Sequence, residues 1–127
     1  MARILLVEDE PLSRKVAFVV LTRLGYEVET ACNGLEAVDA FRCSAFDAIL
    51  MDCSMPEMDG LEATEHIREI EGSRGTRTPI IALTCMSNPS ECLQAGMDAH
   101  ILKTGNLDNL REEIQRWAPL TQPRAAG

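Results

Sequence analysis

Short apolar runs alternate with longer stretches of helical spacing along most of the chain. Ile4-Leu5-Leu6-Val7 is a continuous apolar run that stops at Glu8-Asp9-Glu10, the pattern of a strand buried on both faces. From Pro11 onward, Leu12, Val16, Val19, Val20 and Leu24 fall on one helical face, and Gly25 ends the helix. Val28 to Ala31, set among Glu27, Glu29 and Thr30, alternates as an edge strand with one wetter side does. Asn33 followed by Glu36 reads as an N-cap with its box glutamate, opening a helix that carries Leu35, Val38 and Phe41.

The cycle then repeats. Ala48 to Met51 is a second buried run, ending at Asp52, and a loop from Cys53 to Gly60 leads to a helix with Ala63, Ile67 and Ile70 inward. Pro79 to Leu83 is a third, ending at Thr84. Asn88-Pro89-Ser90-Glu91 supplies a cap, a proline at the first helical position and a capping glutamate for a short helix that stops at Gly96. Ala99 to Leu102 ends at Lys103, and Asn106 caps a final helix with Leu107, Leu110, Ile114 and Trp117 on one stripe. Five strands alternating with five helices predict an α/β fold, a parallel sheet covered on both faces. Right-handed crossovers on so short a chain make the sheet open and doubly wound rather than a barrel. One domain is expected over residues 1–118. Residues 119–127, with two prolines and no periodicity, are expected to be a flexible tail.

Composition narrows the function. Hydrophobic residues make up 46% and charged residues 25%, the balance of a globular domain and neither a disordered nor a membrane chain. Twenty acidic residues against twelve basic ones leave a net charge of -8, which argues against direct nucleic-acid binding. It suits an acidic metal site or a basic partner surface. No apolar run approaches the roughly 20 residues of a membrane span, and Met1-Ala2-Arg3 passes straight into the first strand with no signal peptide, so a cytoplasmic protein is expected. Cys32, Cys43, Cys53, Cys85 and Cys92 are an odd set whose spacings fit no zinc motif. They read as small buried hydrophobes in a reducing cytosol.

The chemistry lies at the carboxyl ends of the strands, where open parallel sheets bind ligands. Glu8 and Asp9 follow the first strand, Asp52 the third, Thr84 the fourth and Lys103 the fifth. Three carboxylates brought together repel one another, and a divalent cation relieves that repulsion. All-oxygen ligation with partial hydration suits Mg2+. A lysine and a threonine hydroxyl beside such an ion would hold a phosphoryl group, and an aspartate there can act as nucleophile. Other residues have plainer readings: Trp117 as the last anchor of the final helix, and His66 as a solvated mid-helix residue.

With these residues in place, the chain resembles the receiver domain of two-component response regulators over residues 3–117, and most of all the receivers of hybrid sensor kinases. The resemblance rests on Leu50 through Gly60 with Glu62-Ala63-Thr64, on Thr78 through Thr84, and on Ala95-Gly96-Met97-Asp98. It implies the flavodoxin-like (βα)5 fold with strand order 2-1-3-4-5. It implies Asp52 as phosphoacceptor from a histidine kinase or histidine phosphotransfer protein, in a phosphorelay. Glu8, Asp9, Asp52 and the backbone carbonyl of Ser54 would hold Mg2+, while Thr84 and Lys103 would hold the phosphate. Receivers are not enzymes in the usual sense, although they assist their own phosphotransfer and autodephosphorylation. The positions of Ser54 and Met86 tune those rates. A downstream protein would read the face formed by the helix over 88–96, the strand over 99–102 and the final helix, with no direct contact to nucleic acid or membrane.

The sequence departs from the family pattern in several places. Glu8-Asp9 is a common variant of a double aspartate. Cys85 stands where alanine or glycine is usual, Thr104 where proline is usual, and the Cys85–Glu91 stretch is about three residues short. His100 holds the switch position that usually carries Tyr or Phe. Packed inward it would favour its neutral form; otherwise it stays outside, solvated or in a partner contact. These output-side departures leave an alternative in play, a degenerate receiver serving as an interaction module with little phosphorylation-dependent switching. A haloacid-dehalogenase-like phosphatase would need a second carboxylate where Ser54 stands. A flavodoxin-like flavin site would need phosphate donors where Glu8-Asp9-Glu10 stand.

Overall fold

The computed structural model describes residues 2–52, 60–75, 77–84, 94–102 and 107–119. Strands β1 (Arg3–Val7), β2 (Glu27–Ala31), β3 (Ala48–Asp52), β4 (Ile80–Thr84) and β5 (Ala99–Leu102) form one sheet. It is wholly parallel and ordered β2-β1-β3-β4-β5, as expected. Helices α1 (Pro11–Arg23), α2 (Gly34–Cys43), α3 (Gly60–Arg74) and α4 (Leu107–Trp117) cover it. Of the helix expected over Asn88–Gly96, only the end is among the described residues: Gln94 and Ala95 are helical, and Gly96 terminates them at φ 110°.

The apolar runs are continuous because both faces of each inner strand are buried. Ile4, Leu6, Leu50 and Ile81 turn toward Ala17 and Leu21 of α1 and Leu110 and Ile114 of α4. Leu5, Val7, Ile49, Met51 and Ala82 turn the other way, toward Ala37, Val38 and Phe41 of α2 and Ala63 and Ile67 of α3. Each fully buried Leu or Ile contributes about 1.5–3 kcal/mol of transfer free energy, and the two layers together hold the sheet. Caps match the sequence pattern. Asn33 Oδ1 accepts from the Glu36 amide, and Glu36 Oε1 accepts from the Cys32 amide at 2.8 Å.

Three expectations are corrected. On α1 the sheet covers Ala17 and Leu21 with Val20 and Leu24 beside them, whereas Leu12 is 68% exposed and Val16 and Val19 also face solvent. The helix carries two apolar stripes about 100° apart. Helical spacing cannot choose between them; packing against the strands does. Leu35, at the outer side of the first turn of α2, is likewise exposed. Cys32 and Cys43 are exposed free thiols rather than buried hydrophobes, because both sit at element ends. The other three cysteines and residues 120–127 lie outside the described residues.

The end of the sheet opposite Asp52 is held by an ion network that hydrophobic patterning cannot reveal. Arg68 of α3 uses all five N–H donors. Nε and Nη2 donate to Gly96 O, Nη1 to Thr78 O and Glu71 Oε1, and Nη2 also to Asp98 Oδ2 at 2.8 Å. Glu71, itself buried, accepts from the Thr78 amide, and Asp98 accepts from the Ile80 amide and Arg77. Burial pulls the Asp98 carboxyl upward. Hydrogen bonds from Arg77 and the Ile80 amide, with the charges of Arg68 and Arg77, outweigh it and hold the group below the usual carboxylate value. Tyr26 ties the last helix to the β2 edge, its hydroxyl donating to Ala118 O at 2.6 Å, and burial pushes its pKa up. Trp117 packs on the α1–α4 layer with Nε1 donating to Glu113, while His66 stays at the surface of α3 between Glu62 and Glu69.

Candidate functional site

The strand order reverses between β1 and β3. The chain leaves β1 toward β2 on one side and returns to β3 on the other, which opens a crevice at the carboxyl ends of these two strands. Val7 pairs with Met51, so the next residues on each strand, Glu8 and Asp52, come side by side. Carboxylate oxygens of Glu8, Asp9 and Asp52 all lie within 4.8 Å of one another. Glu8 and Asp52 are buried at 2% and 3% exposure, and Asp9 is the solvent-facing member.

Local structure accounts for each position. The Glu8 amide donates to Ala31 O, extending the β1–β2 ladder by one residue. Glu10 then caps α1, its Oε1 accepting from the Ser13 amide at 2.7 Å, so the acidic pair is trapped between a strand end and a helix start. Asp52 ends β3, where α3 packs against it. A Cβ on Gly60 would sit 2.3 Å from the Asp52 carbonyl oxygen. Only glycine permits that approach.

Thr84 closes β4, paired in register with Leu102 at the end of β5, so both strands end at the same rim. The Thr84 side chain, Ser54, Met86, Lys103 and Thr104 lie outside the described residues. His100 pairs with Ala82 and sits half-buried on β5. With Ile101, Asn109, Glu112 and Glu113 it lines a cleft of about 220 Å³ between β5 and α4.

Three carboxylates with oxygens within 4.8 Å of one another, and oxygen donors only, suit a hard dication such as Mg2+.

The family described as the response regulator receiver domain matches residues 4–115, and the chain belongs to it. It is a receiver domain, of a class of signalling phosphoacceptors. "Probable histidine kinase 1" of Oryza sativa subsp. indica is 38% identical over 93% of this chain but only 16% of its own length. Hybrid signal transduction histidine kinase G of Dictyostelium discoideum is 40% identical over 94% of this chain and 4% of its own. The chain thus spans a small part of the curated relatives it matches. Among solved structures, the receiver domain of a sensor histidine kinase from Pseudomonas aeruginosa PAO1, with a magnesium ion coordinated in its active-site cleft, superposes with a TM-score of 0.83. It is 42% identical and covers 92% of this chain and 97% of that one. A Saccharomyces cerevisiae receiver domain, solved with a histidine phosphotransfer protein, gives a TM-score of 0.87 at 26% identity, covering 92% and 88%. No helix among the described residues is long and apolar enough to cross a membrane.

Proposed function

We propose that this receiver accepts a phosphoryl group on Asp52 from the phosphohistidine of a histidine kinase or histidine phosphotransfer protein. An Asp52 carboxylate oxygen attacks phosphorus as the nitrogen–phosphorus bond breaks and the imidazole leaves. The observation that carries this reading is the convergence of the Glu8, Asp9 and Asp52 carboxylates within 4.8 Å at the β1–β3 crevice. Glu8, Asp9, Asp52 and the carbonyl of Ser54 hold Mg2+, which when bound neutralises charge on the phosphoryl oxygens. Thr84 and Lys103 take the remaining phosphoryl oxygens, and Ser54 and Met86 tune the rate of hydrolysis.

The donor docks on α1. Leu12, Val16 and Val19 form an apolar face, exposed on the helix that begins right after Glu8 and Asp9, and a partner seated there has its histidine at the crevice. Output passes through the face around His100, read by a downstream protein, and the domain works in the cytoplasm over residues 1–118.

Incubation with acetyl phosphate and Mg2+ tests the acceptor. Intact-mass measurement is expected to give one phosphoryl adduct, lost with EDTA and in Asp52→Asn. An equal adduct in Asp52→Asn overturns the assignment. Val16→Glu is expected to leave acetyl phosphate labelling unchanged and to slow transfer from a phosphorylated phosphotransfer protein.

A further inference from the structure

One cation beside the acidic pocket makes no ion pair among the described residues. Arg14, half-buried in the first turn of α1, donates from Nη1 to the backbone carbonyl oxygen of Glu8 at 3.0 Å. Three carboxylates lie close by, yet the guanidinium is committed to the peptide that joins two of them.

That peptide has two sides to hold. Its Glu8 residue is fixed from the sheet, where the Glu8 amide donates to Ala31 O at 3.1 Å. On its other side the carbonyl of the same peptide accepts from Arg14. The orientation of this carbonyl sets the plane of the Glu8–Asp9 peptide, and hence the direction in which the Asp9 carboxylate leaves the backbone. Asp9 is the most solvent-facing of the three acids. Arg14 reaches back six residues to fix it, from a helix whose own start is set by the Glu10 cap.

We propose that Arg14 is a positioning residue for the divalent-ion site, holding the Glu8–Asp9 peptide so that Asp9 joins Glu8 and Asp52; this rests on the metal reading given above. The sign of the effect separates the role from simple electrostatics. A positive charge near the pocket repels a dication, so charge alone makes removal of Arg14 tighten Mg2+ binding. Positioning makes removal weaken it.

Mg2+ affinity is measured on the full chain by amide chemical-shift titration for wild type, Arg14→Met, Arg14→Lys and Asp9→Asn, with thermal unfolding of each to confirm folding. Arg14→Met is expected to weaken Mg2+ binding about threefold to tenfold, the range of one intramolecular hydrogen bond. Arg14→Lys keeps the charge but not the planar donor, and is expected to weaken it at least as much. Unchanged or tighter binding in Arg14→Met overturns the proposal, as does wild-type affinity in Arg14→Lys. Failure of the site reading looks different: wild type then shows no saturable binding, or Asp9→Asn binds as wild type does, and the role of Arg14 falls with it.

Discussion

Replacing Gly60 with alanine puts a methyl group where the backbone of Asp52 already runs. The added Cβ lies 2.3 Å from the Asp52 carbonyl oxygen, 2.9 Å from Met51 Cγ and 3.0 Å from the Asp52 carbonyl carbon. Carbon–oxygen contacts ordinarily begin near ~3.3 Å, so α3 and the end of β3 must separate by roughly 1 Å. Neither side yields easily, since Met51 is wholly buried and the nearest atom is backbone. Overpacking of this kind costs about 1–3 kcal/mol. The helix propensity of alanine returns at most ~1 kcal/mol, less at the first residue of a helix. A net loss near 1–2 kcal/mol lowers Tm by roughly 3–10 °C in a domain of this size. Phosphorylation suffers more, because a displacement of about 1 Å at a reacting group can cost on the order of a hundredfold. The assay pairs thermal unfolding with the initial rate of labelling by acetyl phosphate at saturating Mg2+. Gly72→Ala is the control: it lies in the same helix, with nothing within 4 Å of the added Cβ, and is expected to keep the rate and gain slightly in stability. Wild-type Tm and wild-type rate in Gly60→Ala would refute the reasoning.

Two further predictions concern pH. Asp98→Asn leaves Arg68 and Arg77 without their shared carboxylate and is expected to cost about 2–4 kcal/mol at neutral pH by urea unfolding. The depressed pKa of Asp98 means that its contribution is present above the unfolded value near ~3.9 and is lost as pH falls through the lower folded value. The gap between wild type and variant should therefore close in strong acid; a gap independent of pH contradicts the charge network. Tyr26→Phe removes the bond to Ala118 and should cost about 0.5–1.5 kcal/mol. Its raised pKa makes the wild-type advantage full below about pH 10 and lost as pH climbs through the folded value, whereas the Phe variant should show no such loss.

Residue order alone determined most of this fold. Four-residue apolar runs such as Ile4–Val7 and Ala48–Met51, bounded by polar residues, suit strands covered on both faces. Helical spacing between them leaves a doubly wound sheet, and each acidic residue at a run's end is placed by that topology at the same rim. The acidic triad was legible for this reason, since strand ends are one-dimensional features. What pairs across the sheet was not. The α1 stripe of Leu12, Val16 and Val19 has the same period as the buried face of Ala17 and Leu21, and only the neighbouring strands decide which is covered. Arg68, Glu71 and Asp98 look like surface charges in a helix and a loop. They become a buried network because α3, β4 and β5 meet at one end of the sheet. Arg14 was equally unmarked, being one basic residue on a helix with another beside it. Its reach to the Glu8 carbonyl depends on the angle at which α1 leaves β1, and that angle is set by packing.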